Sequence, residues 1–138
     1  MSEIYQTWLA QKDLDDALKK ELESMDQATI EESFSVPLAF GTGGIRGVLG
    51  AGTSKLNIYT VKKVLFGYAE YLTRNDLKRG IVIAHDNRHF SRTFAELASA
   101  VLAHFKIKSF LFESLRPTPI LSFAVRHLNC DGGIMITA

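Results

Sequence analysis

The strongest constraint on this chain is the alternation of short apolar runs with amphipathic helical stripes across its second half. The apolar segments 81–84, 107–112 and 134–136 suit strands buried on both faces of a sheet. Three stripes at helical spacing precede or separate them. The first is Val61, Val64, Leu65, Tyr68, Ala69 and Leu72; the second is Phe94, Leu97, Ala98, Val101, Leu102 and Phe105. The third is Ile120, Leu121, Ala124, Val125 and Leu128. Asn57 or Thr60 can cap the first helix and Ser91 or Thr93 the second, while Pro117-Thr118-Pro119 fits the first turn of the third. Strands and helices alternating through short connections require mainly parallel strands with right-handed crossovers. The expected fold is α/β, a three-layer α/β/α sandwich around a mainly parallel (mixed) sheet of about four strands.

The beginning of the chain follows another pattern. Residues 3–33 look helical and polar, with Asp13 able to cap a segment in which Leu14, Ala17, Leu18 and Leu22 share one face. Pro37 then breaks the helical spacing. A helical extension over residues 1–36, packed on a domain over residues 37–138, is the expected division.

Charge and composition narrow the function classes. The 16 basic residues are nearly balanced by 15 acidic ones, so the basic surplus of a phosphate-backbone binder is missing and no nucleic-acid partner is expected. Met1-Ser2-Glu3 is acidic where a secretory leader is basic, and no apolar run approaches the ~20 residues that span a bilayer. A cytoplasmic protein with no membrane partner is expected. Cys130 has no second cysteine to pair with, and its apolar setting suits a small core residue rather than a nucleophile.

Three loops carry residues suited to chemistry. In Phe40-Gly41-Thr42-Gly43-Gly44-Ile45-Arg46-Gly47, followed by Gly50-Ala51-Gly52-Thr53-Ser54-Lys55, backbone N–H groups freed of Cβ atoms can converge on an anion, and Arg46 adds a planar fork for phosphate. The same residues also fit a flexible hairpin with Arg46 solvated. A dinucleotide fingerprint starting at Gly41 fails because Arg46 occupies a required glycine position. A P-loop starting at Gly47 fails because Thr53-Ser54 replace its lysine and hydroxyl.

His85-Asp86-Asn87-Arg88-His89-Phe90-Ser91 bridges a strand and a helix. His85 and His89 have the spacing of a metal pair, but that spacing converges only within a helix. Asp86 pairing with Arg88, and Ser91 capping the next helix, is the favoured reading. Arg116-Pro117-Thr118-Pro119 either turns Arg116 toward an anion or makes a rigid turn, and the turn is favoured. No acidic cluster with magnesium spacing and no Ser-His-Asp arrangement is apparent in the sequence.

Together these loops, with Gly132-Gly133-Ile134-Met135-Ile136-Thr137-Ala138, occur in the order seen in α-D-phosphohexomutases. The chain resembles the amino-terminal domain of a phosphoglucomutase or phosphomannomutase. Its helical prefix with Trp8, and the double glycine before Ile45, are more similar to the branch containing bacterial α-phosphoglucomutases and phosphopentomutase-like enzymes. The resemblance implies an isomerase of carbohydrate metabolism, an intramolecular phosphotransferase moving phosphate reversibly between the 1- and 6-positions of a hexose through a bisphosphate. It implies a phosphoprotein whose phosphorylated serine is the donor, magnesium as cofactor, and hexose 1,6-bisphosphate as activator.

In the family that serine directly follows Thr-Ala, so it is expected immediately after Ala138, with no catalytic or metal residue within this chain. Arg46, with Thr42, Gly43 and Gly44, is implied to bind phosphate. Asp86, Arg88, His89, Ser91, Arg116 and Thr137 are implied to be supporting-loop residues. The implied partners are sugar phosphates and the remaining mutase domains. Residues 37–138 are then an incomplete first domain, inactive alone. The competing expectation is a stand-alone, non-catalytic module that binds a phosphorylated ligand or a partner chain through the same loops.

Overall fold

The computed structural model describes residues 3–137, and the chain divides into two compact units after Thr60. In the unit beginning at Val61, strands β1 (Ile81–His85), β2 (Ser109–Leu111) and β3 (Gly132–Ile136) form a parallel sheet in the order β2-β1-β3. Ile81 lies opposite Ser109 on one side and Gly132 on the other. Helix α5 (Ser91–His104) joins β1 to β2, and α6 (Thr118–His127) joins β2 to β3. Because β2 and β3 flank β1, right-handed crossovers put α5 and α6 on opposite faces, which gives the α/β/α layering.

The central strand β1 is buried along its whole length. Val82 and Ala84 pack with Leu121 and Ala124 beneath α6, and the two-residue alternation turns Ile81 and Ile83 toward the other face. Helix α4 (Ile58–Arg74) buries Val61, Leu65, Ala69 and Leu72, four members of the expected stripe. Its Phe66 meets Phe105 at the end of α5 edge-on, with ring centroids 5.2 Å apart.

The described residues contain a sheet of three strands where about four were expected from the sequence pattern. The segment before α4 contributes only an isolated Leu49–Leu56 bridge, since Gly50 and Gly52 supply no side chains to pack on a pleated surface. Strand β2 is also shorter than residues 107–112, because the Ile107 N–H is bonded to the Leu102 carbonyl at 2.9 Å, closing α5.

Helices α4, α5 and α6 end by one device. The residue past the last turn is left-handed in each: Asp76 at φ 55°, Lys106 at 59° and Asn129 at 53°. Its N–H and the next one reach back into the helix. Asp76 N–H donates to Thr73 O and Leu77 N–H to Leu72 O; Lys106 to Ala103 and Ile107 to Leu102; Asn129 to Arg126 and Cys130 to Val125. This pair of bonds is the Schellman stop, where glycine is the favoured residue. Lys106 has neither the glycine backbone nor a short side chain suited to this conformation. Lys106→Gly is expected to stabilise the protein by up to about 1 kcal/mol, net of the extra freedom glycine gives the unfolded chain. Urea denaturation measures it, and a lowered midpoint would count against strain at Lys106.

The other unit contains α1 (Glu3–Leu9), α2 (Asp16–Glu23) and α3 (Gln27–Phe34), so residues 3–33 are three short helices. Tyr5, Leu14, Leu22, Ile30, Phe34 and Ala51 form its core. Trp8 packs edge-on against both Phe34 and Tyr59 at 5.6 Å. Asp13 is not the cap of α2. Asp15 is, accepting from Ala17 N–H at 3.0 Å and Leu18 N–H at 3.1 Å, and Leu14 precedes the helix as a core residue. Asp26 caps α3 through Thr29 N–H at 2.8 Å.

Candidate functional site

The glycine-rich segment proves to be two structures. Residues 50–57 are fastened from several directions. Asn57 is buried; its Nδ2 donates to the Gly50 and Gly52 carbonyls at 2.9 and 3.0 Å. Its Oδ1 accepts from Tyr59 and Thr60 N–H at 3.1 and 3.0 Å, so Asn57 is the cap of α4. Ala51 N–H donates to Glu21 Oε1 at 3.0 Å, Ser54 N–H to Ser33 O at 2.9 Å, and the Lys55 ammonium pairs with Glu32. At Gly52, with φ 119°, a Cβ would lie 2.4 Å from the Ser33 carbonyl oxygen. This half serves the core of its unit.

Residues 42–46 are open by comparison, whereas a Cβ on Gly47 would lie 2.9 Å from the Leu38 side chain. Gly41 N–H donates to Gly44 O at 2.8 Å, a close turn, while Thr42, Gly43 and Arg46 are exposed. Beyond their immediate chain neighbours, no described atom lies within 4 Å of the Cβ position of Gly43 or Gly44. Arg46 makes no hydrogen bond or ion pair among the described residues. A guanidinium in that condition, close in sequence to the open backbone of Gly43 and Gly44, is chemically suited to a phosphate group.

The other loops gather where the parallel strands of the second unit end, the edge at which α/β sheets meet ligands. Asp86, directly after β1, is their hub. Its N–H donates to Ile136 O at 3.0 Å, extending the pairing of β1 with β3. Its Oδ1 accepts from Arg88 N–H at 3.0 Å and from the Ser91 hydroxyl at 2.6 Å. Its Oδ2 accepts from the Thr137 hydroxyl at 2.6 Å and lies 3.6 Å from Arg88 Nε. The Asp86–Arg88 pair is present, but Ser91 does not cap α5. The cap position is Phe90, left-handed at φ 65°, and Ser91 is the first helical residue. A hydroxyl bonded to a carboxylate makes a stronger contact than one accepting an amide N–H, which explains where Ser91 points.

His85 and His89 have different partners. The buried His85 has Nδ1 2.9 Å from the Asp86 carbonyl, which can only accept, so Nδ1 carries the proton. Nε2 is then left to accept from Arg92 Nη1 at 3.4 Å. His89 stacks edge-on against Phe90 at 4.3 Å. Among the described residues no three His, Cys, Asp or Glu side chains are grouped to hold a metal ion.

Arg92 was not singled out from sequence. Its Nη1 also donates to the Phe112 and Glu113 carbonyls at 3.1 and 3.2 Å, tying the β2 loop to α5. Backbone acceptors twenty residues away leave no local signal for such a role. Arg116 turns back on its own loop, donating to Ser114 Oγ at 2.5 Å and Leu115 O at 2.8 Å, with its guanidinium 5.7 Å over the Phe112 ring. Its N–H donates to His85 O at 3.1 Å, and α6 follows with Pro119 in its first turn.

The double glycine at the start of β3 permits close approach from both faces. A Cβ on Gly133 would sit 3.0 Å from Leu121 and Val125 of α6, and one on Gly132 2.7 Å from the Tyr68 hydroxyl of α4. Thr137 is the last residue of this strand end to be seen; Ala138 lies outside the described residues. Cys130 is buried, and burial pushes its thiol pKa up, which keeps it protonated and poorly nucleophilic. No described helix is long and apolar enough to cross a membrane.

Residues 37–138 match the family described as phosphoglucomutase/phosphomannomutase, alpha/beta/alpha domain I. The chain is 44% identical over 126 residues to a phosphoglucomutase of Staphylococcus epidermidis, a match covering 91% of this chain and 23% of that protein. It is 43% identical over 124 residues to the phosphoglucomutase of Staphylococcus aureus, covering 90% and 22%. Among solved structures, a Thermus thermophilus protein described as a phosphomannomutase superposes with a TM-score of 0.68 at 37% identity, covering 75% of this chain and 23% of that one. The chain therefore spans less than a quarter of the length of these relatives.

Proposed function

Since the chain belongs to the phosphoglucomutase/phosphomannomutase family, whose first α/β/α domain its residues 37–138 match, we propose that it serves as that domain in a hexose-phosphate mutase. The whole protein would be a cytoplasmic isomerase that transfers phosphate reversibly between the 1- and 6-positions of a hexose through a bisphosphate. The observation that carries this reading is Arg46, an exposed guanidinium with no ion-pair partner among the described residues, in an open, glycine-lined loop. Arg46, with the backbone of Thr42, Gly43 and Gly44, would hold the phosphate of a phosphoserine placed directly after Ala138. Its charge and donors would stabilise the negative charge that redistributes as the phosphoryl group moves.

Asp86, Arg88, Ser91 and Thr137 would hold the loop end from which that serine is presented, and His89 and Arg116 would shape the neighbouring loops. Magnesium is implied by the family's chemistry, yet the described residues do not fit it. No acidic cluster converges, and both oxygens of Asp86 are engaged by Ser91, Arg88 and Thr137. Its ligands are accordingly assigned to the remaining mutase domains, and no step here runs through the metal.

The test is turnover of glucose 1-phosphate or mannose 1-phosphate by the purified full-length protein, supplied with magnesium and the matching 1,6-bisphosphate activator. Full-length protein is expected to turn over at least one of these. The 138-residue chain alone is expected to show none, because the proposed serine and metal ligands lie outside it. Inert full-length protein would overturn the proposal, and turnover by the isolated chain would overturn the placement of the serine.

A further inference from the structure

We infer that Asp86 is a positioning residue that sets the direction in which the chain leaves β3, acting through the hydroxyl of Thr137. The inference rests on the proposed placement of the phosphoryl-carrying serine just beyond this strand. Asp86 grips the strand end at two consecutive residues. Its N–H holds the Ile136 carbonyl at 3.0 Å, and its carboxylate holds the Thr137 hydroxyl at 2.6 Å. The first bond fixes the height of the strand against β1. The second, from a side chain, fixes the rotation of the backbone at residue 137. A hydroxyl–carboxylate contact of this length is a charge-assisted bond, stronger than the ladder bonds before it.

The carboxylate is itself held. Ser91 Oγ at 2.6 Å and Arg88 N–H at 3.0 Å bond its other oxygen, and the Arg88 guanidinium stands 3.6 Å from the oxygen that takes Thr137. Ser91 is 2% exposed, at the start of the long helix α5, so the arm that reaches Thr137 is anchored in the packed part of the sandwich. A group carried one or two residues further on inherits that direction. An error of about 1 Å in the placement of a reacting group can cost a hundredfold in rate.

Thr137→Val keeps the β-branched shape and removes the hydroxyl, while Thr137→Ser keeps the hydroxyl and removes the methyl group. In the full-length protein, Thr137→Val and Asp86→Asn are each expected to lower kcat about 10- to 100-fold with little change in KM for the sugar phosphate. Thr137→Ser is expected to keep most of the wild-type rate. The double variant Asp86→Asn/Thr137→Val should lose clearly less than the product of the two single losses, because both disturb the Asp86–Thr137 contact.

Hydrogen exchange gives a second readout that does not require turnover. Thr137→Val should raise exchange at residues 135–137 at least several-fold, and Thr137→Ser should not. A wild-type rate in Thr137→Val, fully multiplicative losses in the double variant, or unchanged exchange would each overturn the inference. Full-length wild type that lacks mutase turnover but shows the exchange pattern would overturn the function proposed above and uphold Asp86 as the residue that orients this strand end.

Discussion

Arg46→Ala in the full-length protein is expected to cut kcat by roughly 10²- to 10³-fold, about 3–4 kcal/mol of transition-state stabilisation, while KM for the sugar phosphate changes little. The guanidinium has no partner among the described residues, so its removal is expected to leave the fold and the surrounding glycine turn intact. Its proposed contact is the phosphate in transit. An interaction that strengthens as charge redistributes appears in kcat, whereas one equal in ground and transition states appears in KM. Arg46→Lys should recover part of the loss, since lysine keeps the charge and loses the bidentate fork. Steady-state kinetics of the three proteins distinguish the cases. Unchanged turnover with raised KM would reduce Arg46 to a binding residue, and unchanged kinetics would leave it a solvated side chain.

The largest effect on stability is expected a few residues further along. Gly52→Ala should cost roughly 3 kcal/mol or more, because two penalties coincide. At φ 119° the backbone conformation is one that residues with a Cβ rarely adopt, and the added carbon would lie 2.4 Å from the Ser33 carbonyl oxygen, a backbone atom at the end of α3. Relief would require moving a segment whose carbonyl is bonded to buried Asn57 and whose neighbour Ala51 is in the core. Gly43→Ala, from the open half of the same glycine-rich stretch, meets nothing within 4 Å and should change stability by less than about 0.5 kcal/mol. Urea denaturation of the two variants against wild type decides it. Equal midpoints for the two would refute the division of this stretch into a fastened half and an open one.

That division was not legible in the sequence, and the reason is physical. Glycine marks a backbone that needs freedom, without saying whether the need comes from a ligand or from a neighbouring helix. Gly52 serves Ser33, nineteen positions earlier in the chain, and only the folded unit brings them together. The stripes of α4 and α5 were readable because burial repeats along one element, as was β1, whose apolar run reflects two covered faces. In α6 the stripe holds only in part: Leu121 and Ala124 are buried, while Ile120 and Leu128 are exposed. Caps were less secure: Asp13 and Asp15 are chemically alike, and the helix starts where the backbone turns. The bond from Thr137 to Asp86 joins residues 51 positions apart and depends on the register of β3 against β1, so no local pattern announces it.

The shared helix ending has an evolutionary consequence. Asp76, Lys106 and Asn129 are exposed, and the stop they make is built from backbone bonds, so what it demands of them is tolerance of a left-handed backbone rather than a particular side chain. Spacing is another matter. β2 begins two residues past the Ile107 bond and β3 two past the Cys130 bond. One inserted residue at either junction would slip the strand by one place and send its inward side chains to the opposite face. Mutation can therefore exchange residues at these junctions while leaving their length fixed. Insertions and deletions should accumulate instead in exposed connections that carry neither such a junction nor the bonds of Asp86 to Ser91 and Thr137.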